Sequence, residues 1–210
     1  MKFLIIIVVL LINLIEFVRG HGMIMDPINR ASRWRNDSRA KPDYNDMEGN
    51  CGGFEAQFNN YNGKCGMCGD QYGDPKPRAH ELGGTYGQGV IVKTYKSEST
   101  INVLVRITSN HNGKFVFKIC NLDKENETEE CFDRQLVRLQ NGLDYVLASS
   151  IPGDFVVPLV LPKNLQCKRC VLQWTYTAGN NWGICNDGKG RLGCGPQEHF
   201  RTCSDITIVK

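Results

Sequence analysis

Between Thr100 and Ser109 the chain alternates: Ile101, Val103, Val105 and Ile107 share one face, with Asn102, Arg106 and Thr108 opposite. A period of two marks a strand with one buried face. Asn112-Gly113 follows, the dipeptide best suited to a two-residue hairpin turn. The run after it alternates again through Phe115, Phe117 and Ile119. This pattern predicts a β-hairpin with His111 beside its turn. Residues 154–161 carry Phe155, Val157, Leu159 and Leu161 on one face, and residues 171–177 carry Leu172, Trp174 and Tyr176. A strand-like run opens at Val90-Ile91-Val92, and Ile206 and Ile208 suit a last short strand. Pro158 has no amide hydrogen to donate, so its strand is expected at a sheet edge. Helical periodicity is nearly absent; one helical turn is expected near residues 133–139. Several short strands separated by turn residues predict an all-β chain, an immunoglobulin-like or fibronectin III-like antiparallel β-sandwich.

Residues 41–89 break the pattern. They are rich in Gly, Asn, Asp, Pro and Cys and show no sustained period. A loop this long needs a function or a staple. Cys51, Cys65 and Cys68 offer staples, and Tyr44, Phe54, Phe58, Tyr61, Tyr72 and Tyr86 offer rings that pack the loop down or face a ligand. The other cysteines are Cys120, Cys131, Cys167, Cys170, Cys185, Cys194 and Cys203, ten in all.

The first 20 residues read as a secretory signal peptide: Lys2 at the start, an apolar run, then Val18 and Gly20 before a cleavage position. Asn13, Glu16 and Arg19 interrupt the run, which argues against a membrane anchor, since a span needs roughly 20 apolar residues. No membrane association is expected, and residues 21–210 are expected to form one secreted, extracellular, monomeric domain. In a secreted chain an even cysteine count predicts disulfides. Zinc is the alternative for the two Cys-x-x-Cys pairs, although they lie far apart in sequence. A Cys120–Cys131 bridge would close a short loop around Asn126 and add on the order of 3 kcal/mol. Asn36-Asp37-Ser38 and Asn126-Glu127-Thr128 are glycosylation sequons. The formal charge is +3. The leader carries one net positive charge of this, and so mild a balance argues against a nucleic-acid partner without excluding a neutral polymer.

The chemistry rests on histidines. The chain has four: His21, His80, His111 and His199. Cleavage after Gly20 would leave His21 at the new terminus, with an amine and an imidazole on one residue. His111, held at a strand end, would bring a second imidazole. Two imidazoles and an amine form a three-nitrogen set that suits Cu(II), which also stands at the top of the divalent affinity order. His80 shows no partner in the sequence. His199 is expected to point away from Phe200, because neighbouring strand residues alternate.

These segments together resemble the lytic polysaccharide monooxygenases, most closely auxiliary activity family fifteen of invertebrates. The resemblance runs through His21-Gly22-Met23-Ile24-Met25-Asp26-Pro27, Arg33-Trp34-Arg35, Tyr44-Asn45-Asp46, Cys51-Gly52-Gly53 and Ser109-Asn110-His111. It continues over Leu172-Gln173-Trp174-Thr175-Tyr176-Thr177-Ala178-Gly179-Asn180-Asn181-Trp182-Gly183, and over Gly195-Pro196-Gln197-Glu198-His199-Phe200-Arg201-Thr202-Cys203-Ser204-Asp205-Ile206. It implies one copper ion in a histidine brace formed by His21 (amine and ring) and His111 (ring). It places Phe200 on the axial side of the metal and a polar neighbour at Gln197 or Glu198, with Gln197 favoured. It makes Tyr44 a contact for sugar rings. Relatives often have alanine where this chain has Ser109, which puts solvent access to the other axial side in question.

The implied reaction is oxidative. Copper is reduced by an external electron donor, and oxygen or hydrogen peroxide then supports hydrogen removal from a glycosidic carbon. The implied substrate is an insoluble polysaccharide, chitin first and cellulose second. Two rivals remain. A hydrolase needs two carboxylates flanking the bond and leaves His21 unexplained. A non-catalytic chitin-binding or copper-binding protein would share the fold and the metal ligands.

Overall fold

The alternating stretch Thr100–Ser109 forms a strand over its whole length, and most of the other patterned runs follow it. The structure is a computed structural model that describes residues 21–148 and 150–210; the expected leader lies outside the described residues. In chain order the strands are β1 (His21–Asp26), β2 (Lys93–Lys96), β3 (Thr100–Ser109), β4 (Lys114–Asn121), β5 (Leu136–Leu139) and β6 (Val146–Leu147). They continue with β7 (Gly153–Val160), β8 (Cys167–Thr177), β9 (Trp182–Ile184), β10 (Gly190–Leu192) and β11 (His199–Val209). A short α-helix, α1 (Glu129–Asp133), precedes β5, and two further helical turns lie earlier in the chain, a 3-10 turn at Arg33–Arg35 and a π turn at Ala56–Asn60.

The main sheet runs β1-β3-β7-β5-β4-β8-β11-β2, with β6 beside β4, while β9 and β10 form a separate hairpin. It curls into a sandwich at β5. Leu139 and Arg138 pair with β7, whereas Val137 and Leu136 pair with β4, so this strand serves both layers. Ile101, Val103, Val105 and Ile107 face Phe115, Phe117, Leu172, Trp174 and Tyr176 across a closed apolar core. The fold is the expected all-β, immunoglobulin-like sandwich.

Several expectations change. The Asn112-Gly113 hairpin does not form: β3 pairs with β1 and β7, and β4 pairs with β5, β6 and β8. Both turn residues do have positive φ, 56° and 85°. The dipeptide therefore sets the local bend, but the chain uses it to cross between layers, so that β3 and β4 bury their apolar faces on the same core from opposite sides. Gly113 is required there, because a side chain would collide with the Thr177 carbonyl. Pro158 lies in β7 between β3 and β5, not on an edge strand. Its carbonyl accepts from Gln140 N just past the end of β5, so its nitrogen, on the same side, falls where that ladder has run out. The helical turn comes earlier than expected, at α1, capped by Thr128, whose hydroxyl accepts the Cys131 N–H. Residues 136–139 are strand instead. Val90-Ile91-Val92 precedes β2, which starts at Lys93 and runs parallel to β11, the one parallel pairing among the described residues. The last strand is long, reaching back to His199.

All ten cysteines pair: Cys51–Cys65, Cys68–Cys203, Cys120–Cys131, Cys167–Cys170 and Cys185–Cys194. The Cys120–Cys131 bridge is as expected. The zinc alternative falls, because no thiol is left to ligate and Cys65 and Cys68 go to different partners. The long loop is thus stapled to itself and to β11.

Arg30 fastens the same region. Its buried guanidinium donates to both oxygens of Asp205 (2.8 and 2.7 Å), to both oxygens of Glu127 (3.0 and 2.7 Å) and to the His80 carbonyl (2.9 Å). Arg30→Ala leaves two buried carboxylates without a cation. We expect it to cost about 3–5 kcal/mol, read by chemical denaturation with Arg30→Lys as the milder comparison.

Candidate histidine site

β1 is the edge strand that presents His21. Its register sets His21 opposite Ser109, two residues before His111. Between His21 and Gly22 the register shifts, a bulge of the kind that re-aims a side chain beside a site. The Thr108 hydroxyl lies 3.4 Å from the His21 carbonyl. The glycine after the histidine has a packing reason. A Cβ at Gly22 would stand 2.5 Å from Ile107 Cδ1 and 2.9 Å from Trp174 Cη2, so only glycine lets β1 lie this close to the core. The ring of His21 is partly buried, and its Nε2 sits 3.3 Å from Glu48 Oε1 without hydrogen-bond alignment. Glu48 was not anticipated from the sequence; the loop that carries it is held by Gly22 N donating to the Met47 carbonyl.

His111 is buried at the layer crossing. Its N–H donates to the Tyr176 hydroxyl at 2.8 Å and its carbonyl accepts from Gly179 N. Its Nδ1 lies 2.9 Å from the Asn180 side-chain amide. That carboxamide has two orientations: one donates to Nδ1, the other accepts a hydrogen bond from Nδ1–H and leaves Nε2 as the lone-pair nitrogen. The Tyr176 hydroxyl is pushed up to about 12, chiefly by burial and further by Glu198, against the lowering effect of the His111 N–H. It therefore stays a neutral phenol. Phe200 is fully buried and stacks on Tyr176 at 5.6 Å, one ring away from the His111 main chain.

The other expected residues are distributed as follows. Tyr44 is 78% exposed and meets Trp34 edge-on at 5.5 Å. Its loop is fixed by the Trp34 indole donating to the Asp43 carbonyl and by Arg35 on both oxygens of buried Asp46. Gln197 is committed elsewhere: its amide donates to the Asn181 and Cys194 carbonyls, and its oxygen accepts from Asn181 N. It roots the segment after Asn180. His199 does turn away from Phe200, to Gln57 and Phe58, and burial pushes its ring down to about 4. Asn36 and Asn126 are both exposed.

His80 does have partners. It lies between Asp70 (Nδ1, 2.8 Å) and Asp43 (Nε2, 2.9 Å) and stacks on Tyr86 at 4.8 Å. Burial opposes its charge, but the two carboxylates outweigh burial and raise it to about 9. An imidazolium thus ties the Tyr44 loop to the stapled loop.

Among the described residues no three His, Cys, Asp or Glu side chains gather as a metal-binding group. Two imidazoles plus a main-chain amine would not be such a group. With this geometry in hand, the chain compares with known proteins as follows. Residues 21–206 match the family model described as lytic polysaccharide mono-oxygenase, cellulose-degrading. A solved structure, the lytic polysaccharide monooxygenase AA15 from Thermobia domestica in the Cu(I) state, is 43% identical. The match covers 90% of this chain and 98% of that one, with a TM-score of 0.86. The chain belongs to the lytic polysaccharide monooxygenases.

The Thermobia match places it with auxiliary activity family fifteen, as the resemblance implied. More distant structures match in shape alone. An AA10 lytic polysaccharide monooxygenase from Streptomyces lividans is 14% identical, with 89% of this chain and 99% of that one covered and a TM-score of 0.54. A chitin binding domain from Burkholderia pseudomallei is 13% identical, with 91% and 100% covered and a TM-score of 0.50. A comparison with curated proteins returned no match.

The His80 clamp gives a pH test. Its folded value of about 9 stands above the ordinary 6.5, so its stabilisation is complete below 6.5 and is lost as pH rises through 9. Denaturation of the wild type and His80→Gln across that window should show a gap that is widest at the acid end and closes toward the alkaline end.

Proposed function

We propose that the chain is a secreted copper-dependent polysaccharide monooxygenase whose single copper ion is held by the amine and ring of His21 and the ring of His111. One observation carries the reading: β1–β3 register sets His21 opposite Ser109, within two residues of His111. The donor set fits the metal. An amine and a ring nitrogen on one residue close a chelate, and planar nitrogen ligands suit Cu(II). The buried His21 Nε2, without a hydrogen bond of its own, lies 3.3 Å from the Glu48 carboxylate. A ligating histidine commonly presents its other nitrogen to such a group. Asn180 would serve His111 in the same way through Nδ1.

Copper bound there would supply one-electron redox chemistry with oxygen or hydrogen peroxide after reduction by an external donor. The surrounding residues orient and exclude. Phe200 offers no donor atom and keeps the Tyr176 side apolar. Ser109 places a hydroxyl-bearing residue opposite His21, where relatives often have alanine. Glu198 takes the polar role first considered for Gln197, since the carboxamide of Gln197 is engaged by backbone. Tyr44, exposed and braced by Trp34, suits a sugar contact. The substrate on this reading is crystalline polysaccharide, chitin ahead of cellulose. Asn36 and Asn126 are exposed, as glycan carriers must be.

The test uses protein beginning at His21, loaded with copper and incubated with chitin and with cellulose, with and without ascorbate. Reductant-dependent oxidised oligosaccharides are expected. Copper binding without product would shift the reading to the non-catalytic binding protein. Asn180→Ala is expected to weaken copper binding by roughly 10–100-fold, the usual cost of losing a residue that orients a ligand. His111→Ala should cost more, with the fold kept, by calorimetry and circular dichroism. A single extra residue before His21 should have an effect comparable to His111→Ala, because it removes the amine.

A further inference from the structure

The β9–β10 hairpin carries an apolar face that neither the core nor the histidine site uses. Its register pairs Trp182 with Leu192 and Ile184 with Gly190. Cross-strand partners share a face and successive residues alternate, so Trp182, Ile184 and Leu192 stand together on one side. They are 66%, 58% and 70% exposed. Gly183, on the other side, packs too tightly on the Cys194 backbone to carry a side chain. The indole of Trp182 lies over Gly190: a Cβ there would collide with Cζ2 and come within 2.9 and 3.0 Å of Cε2 and Cη2. The ring therefore rests on the backbone of the facing strand, with much of its surface in solvent.

The hairpin is rigidly rooted. Cys185–Cys194 closes it, Gly193 N donates to the Asn181 carbonyl, and the Gln197 carboxamide bonds both Asn181 and Cys194. Asn180, immediately before this root, contacts His111. The hairpin thus reaches the histidine pair from the His111 flank. The Tyr44 loop reaches it from the His21 flank, through Met47 and Glu48. A clustered exposed apolar face on a cross-linked hairpin marks a contact surface. This one is uncharged, with Arg191 turned to Asp187 at 3.0 Å, so it suits a neutral partner. An aromatic face left open matches the C–H face of a pyranose ring, whose hydroxyls point outward from the rim.

We propose that Trp182, with Ile184 and Leu192, forms a second polysaccharide contact on the His111 flank, the Trp182 indole serving as platform for one sugar ring of an insoluble chain. This rests on the polysaccharide reading of the site. The test is adsorption of the copper-loaded protein to chitin and to cellulose without reductant, so that no turnover is needed. Trp182→Ala should weaken adsorption roughly tenfold, the scale of an anchoring tryptophan, whereas Trp182→Tyr should keep most of it. Gly190→Ala keeps the apolar area but lifts the ring, and should weaken adsorption too. Copper affinity should be unchanged in all three. Undiminished adsorption by Trp182→Ala, with the wild type adsorbing and oxidising normally, overturns the inference and leaves the polysaccharide reading standing. A wild type that neither adsorbs to nor oxidises either polymer overturns both. A concentration-dependent dimer that Trp182→Ala dissolves assigns the face to a second copy of the chain, which also overturns it.

Discussion

The buried guanidinium of Arg30 is where parts of the chain far apart in sequence are joined. Asp205 comes from β11, Glu127 from the loop before α1, and the His80 carbonyl from the long loop. Burying a cation and two anions costs desolvation, and the arrangement holds because each carboxylate takes a two-pronged pair of hydrogen bonds. Arg30 also follows β1 by only a few residues, and its own N–H donates to the Cys203 carbonyl, while Ser204 donates to the Pro27 carbonyl. The chain leaving β1 is therefore pinned across β11. An edge strand gains a fixed exit, and its first residue inherits a fixed position.

The Tyr44 loop follows the same logic with different groups. It has no strand ladder to hold it, so it relies on charge: Arg35 on Asp46, and His80 between Asp43 and Asp70. Functional residues concentrate on loops set by a rigid scaffold. Here ion pairs hold the loop, the Cys51–Cys65 bridge closes it on itself, and Cys68–Cys203 ties it to β11. That explains how a stretch with so little apolar pattern can hold Glu48 beside His21.

Most of what was legible in the sequence was local. The alternation in residues 100–109 marked β3 from end to end, because a period of two is read without knowing the partner strand. What the sequence hid was long-range. Asn112-Gly113 encodes two positive φ angles, not which strand pairs with which, and the core, not the turn, assigned β3 and β4 to opposite layers. Pro158 is tolerated inside the sheet because a neighbouring ladder stops short, a fact held in β5 rather than in β7. His80 looked solitary because Asp43 and Asp70 lie far from it along the chain. Glu48 carried no signal of its own, and the backbone partners of Gln197, at Asn181 and Cys194, depend on how the following segment folds back.

The position of His21 and the chemistry proposed for it have different origins. Its place is set by pairing with Ser109, by the close seat of Gly22 on Trp174 and by the anchored exit of β1. None of these contacts needs a free amine. The amine exists only once the bond between residues 20 and 21 is cut. On the brace reading, cleavage would add the third nitrogen at a strand end that pairing with β3 has already set within two residues of His111. The metal site would then be completed by a single proteolytic event, and the accuracy of that cut would matter more to copper binding than any substitution in the core that leaves β1 in place.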